Sequence, residues 1–464
     1  MKVYFVGIKG VAMSALAIIL KKMGYEVCGS DVDDIFITDE ELVKNNINID
    51  IGFDPFKINA SISFLIYSGA NDGLENQQVK KAIKLGIQIY SQAEYIGKLI
   101  KEFEISIAIT GSHGKTTTSS LLAYCLIKLG GNPSYIIGSS SFNNFLGGDY
   151  KDKKYFVFEA DEYAVDPPRD NTIKLEHYYP DYAVITNIDF DHPDVYKDIN
   201  HVKKIFLKFI NNSKKVYLCI DDLNSKDLLT KVNKDKITSF GYSNDADYKI
   251  QKYNTNLLRS TFILNKENKT LGEFKTNLYG EKNISNIAGV IAILIDLGYD
   301  IENIKKAIKD FKGAKRRFEL IFKENNTFLY DDYAHHPAEI EATIKAAKNI
   351  FKNKRIIVIF QSHTFSRTQK FLKEFANSLS LADKTYVMPI FSSARENKND
   401  FNVSAQSIVD IAEKHVDIKA IDNKNDLLVE LSKNLRVGDV IFTMGAGYLN
   451  NYSTDIIDVI KSLK

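Results

Sequence analysis

The sequence predicts an α/β protein of about three domains, each a largely parallel sheet wrapped by helices. Three observations lead there. Short apolar runs alternate with helix-period stretches along most of the chain. A glycine loop, Gly111-Ser112-His113-Gly114-Lys115-Thr116-Thr117-Thr118, falls between a strand-like run (Ile105 to Ile109) and a helical one (Leu121 to Leu129). The 464 residues exceed what one hydrophobic core organises, at roughly 150 residues per domain.

The first block, residues 1–102, opens with a strand at Val3 to Val6 and a helix at Ala12 to Met23. Further strand-like runs follow at Glu26 to Gly29, Phe64 to Tyr67 and Ile87 to Ile89. Its first turn, Gly7-Ile8-Lys9-Gly10, and Asp31 at the end of the second strand resemble a dinucleotide fingerprint. Lys9 stands where the second glycine lets backbone approach a pyrophosphate, which weakens a nicotinamide reading; its charge can instead meet a diphosphate. Two readings stand: a nucleotide or nucleotide-sugar site built on Gly7, Gly10 and Asp31, or plain strand–helix packing.

The second block, residues 103–313, carries the glycine loop. Strand, glycine turn, Lys-Thr and helix place backbone N–H groups and a helix N-terminus against an anion. Lys115 then reaches the outer phosphates and the Thr116 hydroxyl ligates Mg2+. The loop is short, since only Ser112 and His113 separate its glycines, but it ends in Gly-Lys-Thr and is read as an ATP site. The strands expected at Tyr155 to Glu159 and Tyr182 to Asn187 end in Glu159-Ala160-Asp161-Glu162 and Asn187-Ile188-Asp189-Phe190-Asp191-His192. Ligands of open α/β sheets gather at such carboxyl ends. Glu159 suits Mg2+, which prefers oxygen, and His192 suits a second cation or a substrate group. Asp161, Glu162, Asp189 and Asp191 are read either as part of the site or as helix caps. A strand at Val216 to Ile220, a β-rich stretch from about Ile237 to Leu278 and a helix from Ile284 to Leu297 complete the block. Asn283 and Asn286 share one face of that helix, as a cap or as an amide pair for adenine.

The third block, residues 314–464, has strands at Thr327 to Asp331, Ile356 to Phe360, Lys384 to Met388 and Val440 to Met444. Asp331-Asp332-Tyr333-Ala334-His335-His336 and Gln361-Ser362-His363-Thr364-Phe365-Ser366-Arg367 follow two of them. Acids and imidazoles in such numbers are costly to bury without partners, so a site is expected there.

Composition narrows the function. Net charge is +2, from 61 Lys+Arg against 59 Asp+Glu, so no global field draws nucleic acid or anionic membrane. Cys28, Cys125 and Cys219 are odd in number and scattered, which argues against disulfides and a thiolate metal site. No leader-like segment precedes the first strand and no apolar run is of bilayer length. A cytoplasmic protein is expected.

Together, GSHGKTTT, EADE, TNIDFDH, GEKNISN, KRRFE, DDYAHHPAE, FQSHTFSRT and MGAG resemble the Mur ligases of peptidoglycan synthesis over essentially the whole chain. The resemblance implies a Rossmann-like N-terminal domain for the UDP end of the substrate, a central P-loop ATPase domain and a Rossmann-like C-terminal domain. It implies ATP-binding by Gly111, Ser112, His113, Gly114, Lys115, Thr116 and Thr117, with Asn283 and Asn286 at adenine, Arg317 at the outer phosphate and Asp332 at the ribose. Thr116, Glu159 and His192 would serve Mg2+; Lys115, Glu159, His192 and Arg317 would be catalytic. His335, His336, His363 and Arg367 would line the substrate cleft. Most motifs are similar to members that join L-alanine to UDP-N-acetylmuramate through an acyl phosphate. The longer segment from Tyr163 to Tyr182 is similar to recycling members that attach an L-Ala-γ-D-Glu-containing tripeptide, the alternative acceptor. A nicotinamide-dependent dehydrogenase is a distant alternative, since it leaves the phosphate loop unexplained. A monomer or weak homodimer is expected.

Overall fold

The computed structural model describes residues 1–464 except 258, 268, 392–395, 397, 414–415 and 464. The chain forms two compact units. The first comprises residues 1–253, 261–277 and 283–314; the second comprises 254–260, 278–282 and 315–464.

The first unit contains a five-stranded parallel sheet in the order Asn48–Ile51, Glu26–Asp31, Lys2–Val6, Phe64–Tyr67, Gln88–Ser91. The chain reverses direction across the sheet at Lys2–Val6, so the crevice beyond Val6 is the switch point where ligands of this fold sit. Helix Val11–Lys22 is apolar all round and Met13 to Leu20 are all buried. Such a helix needs cover on both sides. It rests on its own sheet and on strands Ser134–Phe142 and Phe145–Asp149 of a second sheet, with Lys22 paired to Asp149 at 2.5 Å. One continuous core therefore runs from Val3 to Phe206.

The second sheet has ten strands, and Ile105–Thr110 lies between Tyr155–Glu159 and Tyr182–Ile185, all parallel. Register aligns the three strand ends: Ile109 is opposite Glu159 and Thr110 opposite Ile185. The phosphate loop and both acidic segments therefore leave the same edge. The strand expected to reach Asn187 stops at Ile185, because Thr186 and Asn187 turn to bond the loop. Helix Glu281–Asp296 begins at Glu281, so Asn283 and Asn286 lie inside its first two turns and the capping reading is corrected.

The second unit holds a six-stranded sheet in the order Glu319–Glu324, Thr327–Asp332, Val440–Met444, Ile356–His363, Lys384–Phe391, Ile418–Ala420. Only its first pair is antiparallel. Apolar clusters cover both faces, one around Ile344, Val358 and Phe360, the other around Leu329, Ile357 and Ile441. This two-sided burial is why its strands read as continuous apolar runs. Strand Ile356–His363 runs three residues beyond the expected Phe360, so Gln361, Ser362 and His363 are strand residues.

Candidate active site

Two glycines shape the phosphate loop. Gly111 at φ 130° and Gly114 at φ 86° occupy backbone regions that side chains disfavour. At Gly114 a Cβ would also lie 2.5 Å from the Asn286 amide, so the helix Glu281–Asp296 packs directly on the loop. The next strand end clamps it. His113 N–H donates to Asn187 Oδ1 at 3.0 Å, Asn187 Nδ2 donates to the His113 carbonyl at 2.7 Å, and Thr186 Oγ1 donates to the same carbonyl at 2.6 Å. Ser112 Oγ donates to the Asp189 carbonyl at 3.0 Å and accepts from Asp189 N–H at 2.8 Å. A hydroxyl at position 112 is therefore used on both sides.

Lys115 opens helix Lys115–Lys128, and its ammonium turns back over the loop. It donates to the Gly111 carbonyl at 2.9 Å and to Glu162 Oε2 at 2.6 Å. Burial alone would depress this ammonium; Glu162, with Asp161 and Glu159 behind it, reverses the effect and raises its pKa well above the lysine range. Burial likewise opposes ionisation of Asp161, but Lys174, 2.7 Å away, and Lys115 hold its carboxyl well below the usual range.

Glu159 is positioned by the loop helix and a neighbouring strand. It accepts from Thr116 Oγ1 at 3.1 Å through Oε1 and from Gly138 N–H at 2.8 Å through Oε2. A carboxylate beside a hydroxyl at the end of a phosphate loop is an oxygen donor set that suits Mg2+, whose remaining ligands are water and phosphate oxygens. Among the described residues no group of three or more His, Cys, Asp or Glu is arranged to hold a metal; these two donors fit a phosphate-bound ion and not a protein cage. His192 belongs to a different grouping. Its Nε2 lies 3.6 Å from Glu162 Oε1 and 3.7 Å from Asp191 Oδ2, and its ring meets Tyr163 edge-on at 4.7 Å. His192 also sits at φ 60°, a costly backbone state of the kind that collects at functional sites.

The capping alternative for the four acids is corrected. Asp189 and Asp191 accept from the next residue's N–H in tight turns, and the following helix is capped by Asp198. Asp161 and Glu162 are ion-paired inside the site. Sequence reasoning also left out Asp221. It accepts from Tyr242 N–H at 2.6 Å and from Ser285 Oγ at 2.5 Å, fixing the helix that carries Asn283 and Asn286. Its signal was available, because it too follows a buried strand, Lys215–Cys219.

In the first sheet, Gly7 and Ile8 N–H both donate to the Ser30 carbonyl, and Gly10 precedes helix Val11–Lys22. Asp31 accepts from Lys9 N–H at 2.7 Å, Val32 N–H at 2.9 Å and Asn71 Nδ2 at 3.3 Å. Burial raises its pKa against those donors. The side chain of Lys9 does not serve a diphosphate. It is 5 % exposed and donates to the carbonyls of Val32 at 3.0 Å and Asp34 at 2.8 Å. Its amine is used in folding the next loop, which corrects the expectation.

The second unit gathers the remaining residues. Arg316, not Arg317, makes the buried structural pair, with Asp331 at 2.9 Å and the Gly445 carbonyl at 2.8 Å. The Arg317 guanidinium lies 5.0 Å from the Tyr333 ring. Asp332 accepts from Phe318 and Ala334 N–H and from Thr343 Oγ1; burial raises its carboxyl to about 6 while Arg317 opposes. His335 and His363 approach with ring centroids 6.5 Å apart, and His363 stacks on Phe391. His336 caps helix Pro337–Ile350, accepting from Ala338 N–H through Nδ1. Arg367 is buried in helix Phe365–Lys370. Between His363 and that helix, Thr364 takes φ 69°, and Arg316 and Phe318 also have positive φ. These bends fall on the motifs singled out in the sequence.

Comparison with known proteins agrees along the chain. The Mur ligase family, catalytic domain, matches residues 2–104; the Mur ligase middle domain matches 109–294; the Mur ligase, glutamate ligase domain, matches 316–447. A UDP-N-acetylmuramate–L-alanine ligase of Caldicellulosiruptor bescii is 37% identical over 466 residues, covering 97% of this chain and 96% of its own. The crystal structure of UDP-N-acetylmuramate–alanine ligase from Thermotoga maritima superposes with a TM-score of 0.82 at 26% identity, covering 100% of this chain and 99% of its own. A murein peptide ligase of Psychrobacter arcticus has the same fold, with a TM-score of 0.74 at 21% identity over 100% of this chain and 99% of its own.

Proposed function

The chain belongs to the Mur ligase family, and we infer that it joins L-alanine to UDP-N-acetylmuramate with consumption of ATP, in peptidoglycan precursor synthesis. The observation that carries the reading in this chain is the Gly-Lys-Thr loop with Lys115 and the Thr116–Glu159 pair at one strand edge. The lactyl carboxylate of the substrate is a poor electrophile. Transfer of the γ-phosphoryl group of ATP to it gives an acyl phosphate, the alanine amine attacks the carbonyl carbon, and phosphate leaves from the tetrahedral intermediate.

The residues divide this work. Residues 1–102 bind the UDP end through the turn at Gly7 and Gly10 and through Asp31. Residues 103–313 bind ATP: the loop N–H groups and Lys115 compensate phosphate charge, and Asn283 and Asn286 meet the adenine. Glu159 and Thr116 would hold Mg2+, which would supply further compensation of phosphate charge. His192 serves a second cation or the substrate. Residues 314–464 supply Arg317 to the outer phosphate, Asp332 to the ribose, and His335, His336, His363 and Arg367 to the acceptor. Among the described residues no helix is long and apolar enough to cross a membrane. The need for ATP and a nucleotide-linked sugar assigns the work to the cytoplasm.

Isotope transfer tests the chemistry. With the lactyl carboxylate labelled with 18O, one label is expected in inorganic phosphate, only when ATP and L-alanine are both present. Unlabelled phosphate would contradict acyl-phosphate formation.

A further inference from the structure

The segment from Tyr163 to Tyr182 forms a short hairpin, Ala164–Asp166 paired with Asp170–Ile173. It reaches from the phosphate-loop carboxylates to the first sheet. At its base, Lys174 N–H donates to the Tyr163 carbonyl at 3.0 Å, and the Lys174 ammonium holds Asp161 at 2.7 Å. Next to it, the Glu162 carbonyl accepts from Tyr196 Oη at 2.5 Å.

At the other end lies the loop 68–75, which follows strand Phe64–Tyr67. Ser68 N–H donates to the Val6 carbonyl at 3.0 Å, and a Cβ on Gly7 would lie 3.0 Å from Ser68 Cβ. The loop therefore borders the crevice at the switch point. Asn71, Asp72 and Gly73 have consecutive positive φ values of 52°, 68° and 46°. A run of that kind persists only where surrounding groups determine it. Asn71 Nδ2 reaches Asp31 Oδ1 at 3.3 Å, and Asn76 Nδ2 holds the Asn71 carbonyl at 2.9 Å.

Asp166 supplies the outer hold. It is 0 % exposed, accepts from Leu74 N–H at 2.9 Å, and receives Arg169 Nε at 3.2 and 3.1 Å on its two oxygens. The fit admits no side chain at positions 69 and 73. A Cβ on Gly73 would lie 2.1 Å from Asp166 Oδ2, and one on Gly69 would lie 2.3 Å from the Val165 carbonyl oxygen.

We propose that Asp166 is a positioning residue for the UDP-bearing substrate: it sets loop 68–75 against Asp31 and ties that pocket to the segment carrying Asp161 and Glu162. The proposal rests on the assignment of the first sheet to that substrate. It also gives the long segment a task other than framing a peptide acceptor.

The test is steady-state kinetics of the full chain with UDP-N-acetylmuramate, ATP and L-alanine varied in turn, alongside calorimetric binding of UDP-N-acetylmuramate. Asp166→Asn removes the charge Arg169 needs and sets an amide against one of the donors. KM for UDP-N-acetylmuramate is expected to rise by about tenfold or more, with KM for ATP and kcat changed less than about twofold. Gly69→Ala, which displaces the Val165 carbonyl, should show the same split, and Arg169→Lys a smaller one. A purely structural Asp166 would lower the folded fraction, reducing apparent kcat with every KM unchanged, and that result overturns the proposal. So does an equal rise in the KM for ATP. Absence of turnover in the unsubstituted chain would instead overturn the ligase assignment and this proposal with it.

Discussion

Glu162 lies 2.6 Å from the Lys115 ammonium, in a carboxylate–lysine pair at the phosphate loop. Glu162 is buried and Lys115 half-buried. The pair places a positive charge at the loop proposed to take phosphate and compensates it with a carboxylate that also faces His192. Lys115 therefore has a structural partner besides the phosphate proposed for it.

Lys115→Ala is expected to lower kcat by on the order of 10^2 to 10^3 or more, because it removes charge stabilisation of the transferring phosphoryl group. Lys115→Arg should do little better, since a fork cannot replace a compact charge. The alanine variant also leaves Glu162 buried and unpaired, which costs about 3 kcal/mol. The double variant Lys115→Met, Glu162→Gln should regain most of that stability in urea unfolding and none of the activity. A folded Lys115→Ala enzyme with near-normal ADP release would refute the loop assignment.

Glu159→Ala should raise the Mg2+ concentration for half-maximal activity by about 10- to 100-fold or more, since loss of even the outer partners of metal ligands costs that much. Thr116→Ala should act in the same direction. Titration of activity against Mg2+ at saturating ATP measures both. An unchanged Mg2+ requirement in Glu159→Ala would make that residue a brace for Gly138 and Thr116 only.

Asp332 gives stability a pH dependence whose sign is fixed. Its folded pKa, about 6, lies above the ordinary value near 4, so the folded state binds the proton more tightly. The resulting stability is fully present below about pH 4 and is lost as pH rises through about 6, amounting to about 3 kcal/mol. Urea unfolding at pH 5 and pH 7.5 should show the wild type losing more stability than Asp332→Asn. Arg317→Ala removes the charge that opposes the shift and should move the transition to higher pH. Equal pH slopes for wild type and Asp332→Asn would contradict the assignment.

Lys9→Met should destabilise the fold by about 1–3 kcal/mol, because the carbonyls of Val32 and Asp34 lose their donor. The salt dependence of UDP-N-acetylmuramate binding should stay as in the wild type, since the buried ammonium is engaged by the Val32 and Asp34 carbonyls. A weaker salt dependence in Lys9→Met would restore the diphosphate contact that the sequence suggested.

Much of the fold was legible in the sequence. Central strands such as Phe64–Tyr67 and Val440–Met444 are buried throughout, so they appear as uninterrupted apolar runs, and the loop chemistry of Gly111 to Thr116 is local. Acids and imidazoles stood out because they follow strand ends. What stayed hidden depends on contacts between distant segments. Nothing local distinguishes Glu162, which meets Lys115, from a helix cap. The direction of the Lys9 side chain is set by a loop some two dozen residues away. The hold of Asp166 on the 68–75 loop has no local signal either, because that loop lies about ninety residues earlier.

The most direct test of the central claim is kcat/KM for ADP release with UDP-N-acetylmuramate and either L-alanine or the L-Ala-γ-D-Glu-containing tripeptide, on one preparation, with the nucleotide product identified by mass. The account expects efficient turnover with L-alanine, equimolar ADP and UDP-N-acetylmuramoyl-L-alanine, and glycine reduced by about 10- to 200-fold for its missing methyl. A large preference for the tripeptide, or ADP release that does not depend on the amino acid, would contradict it.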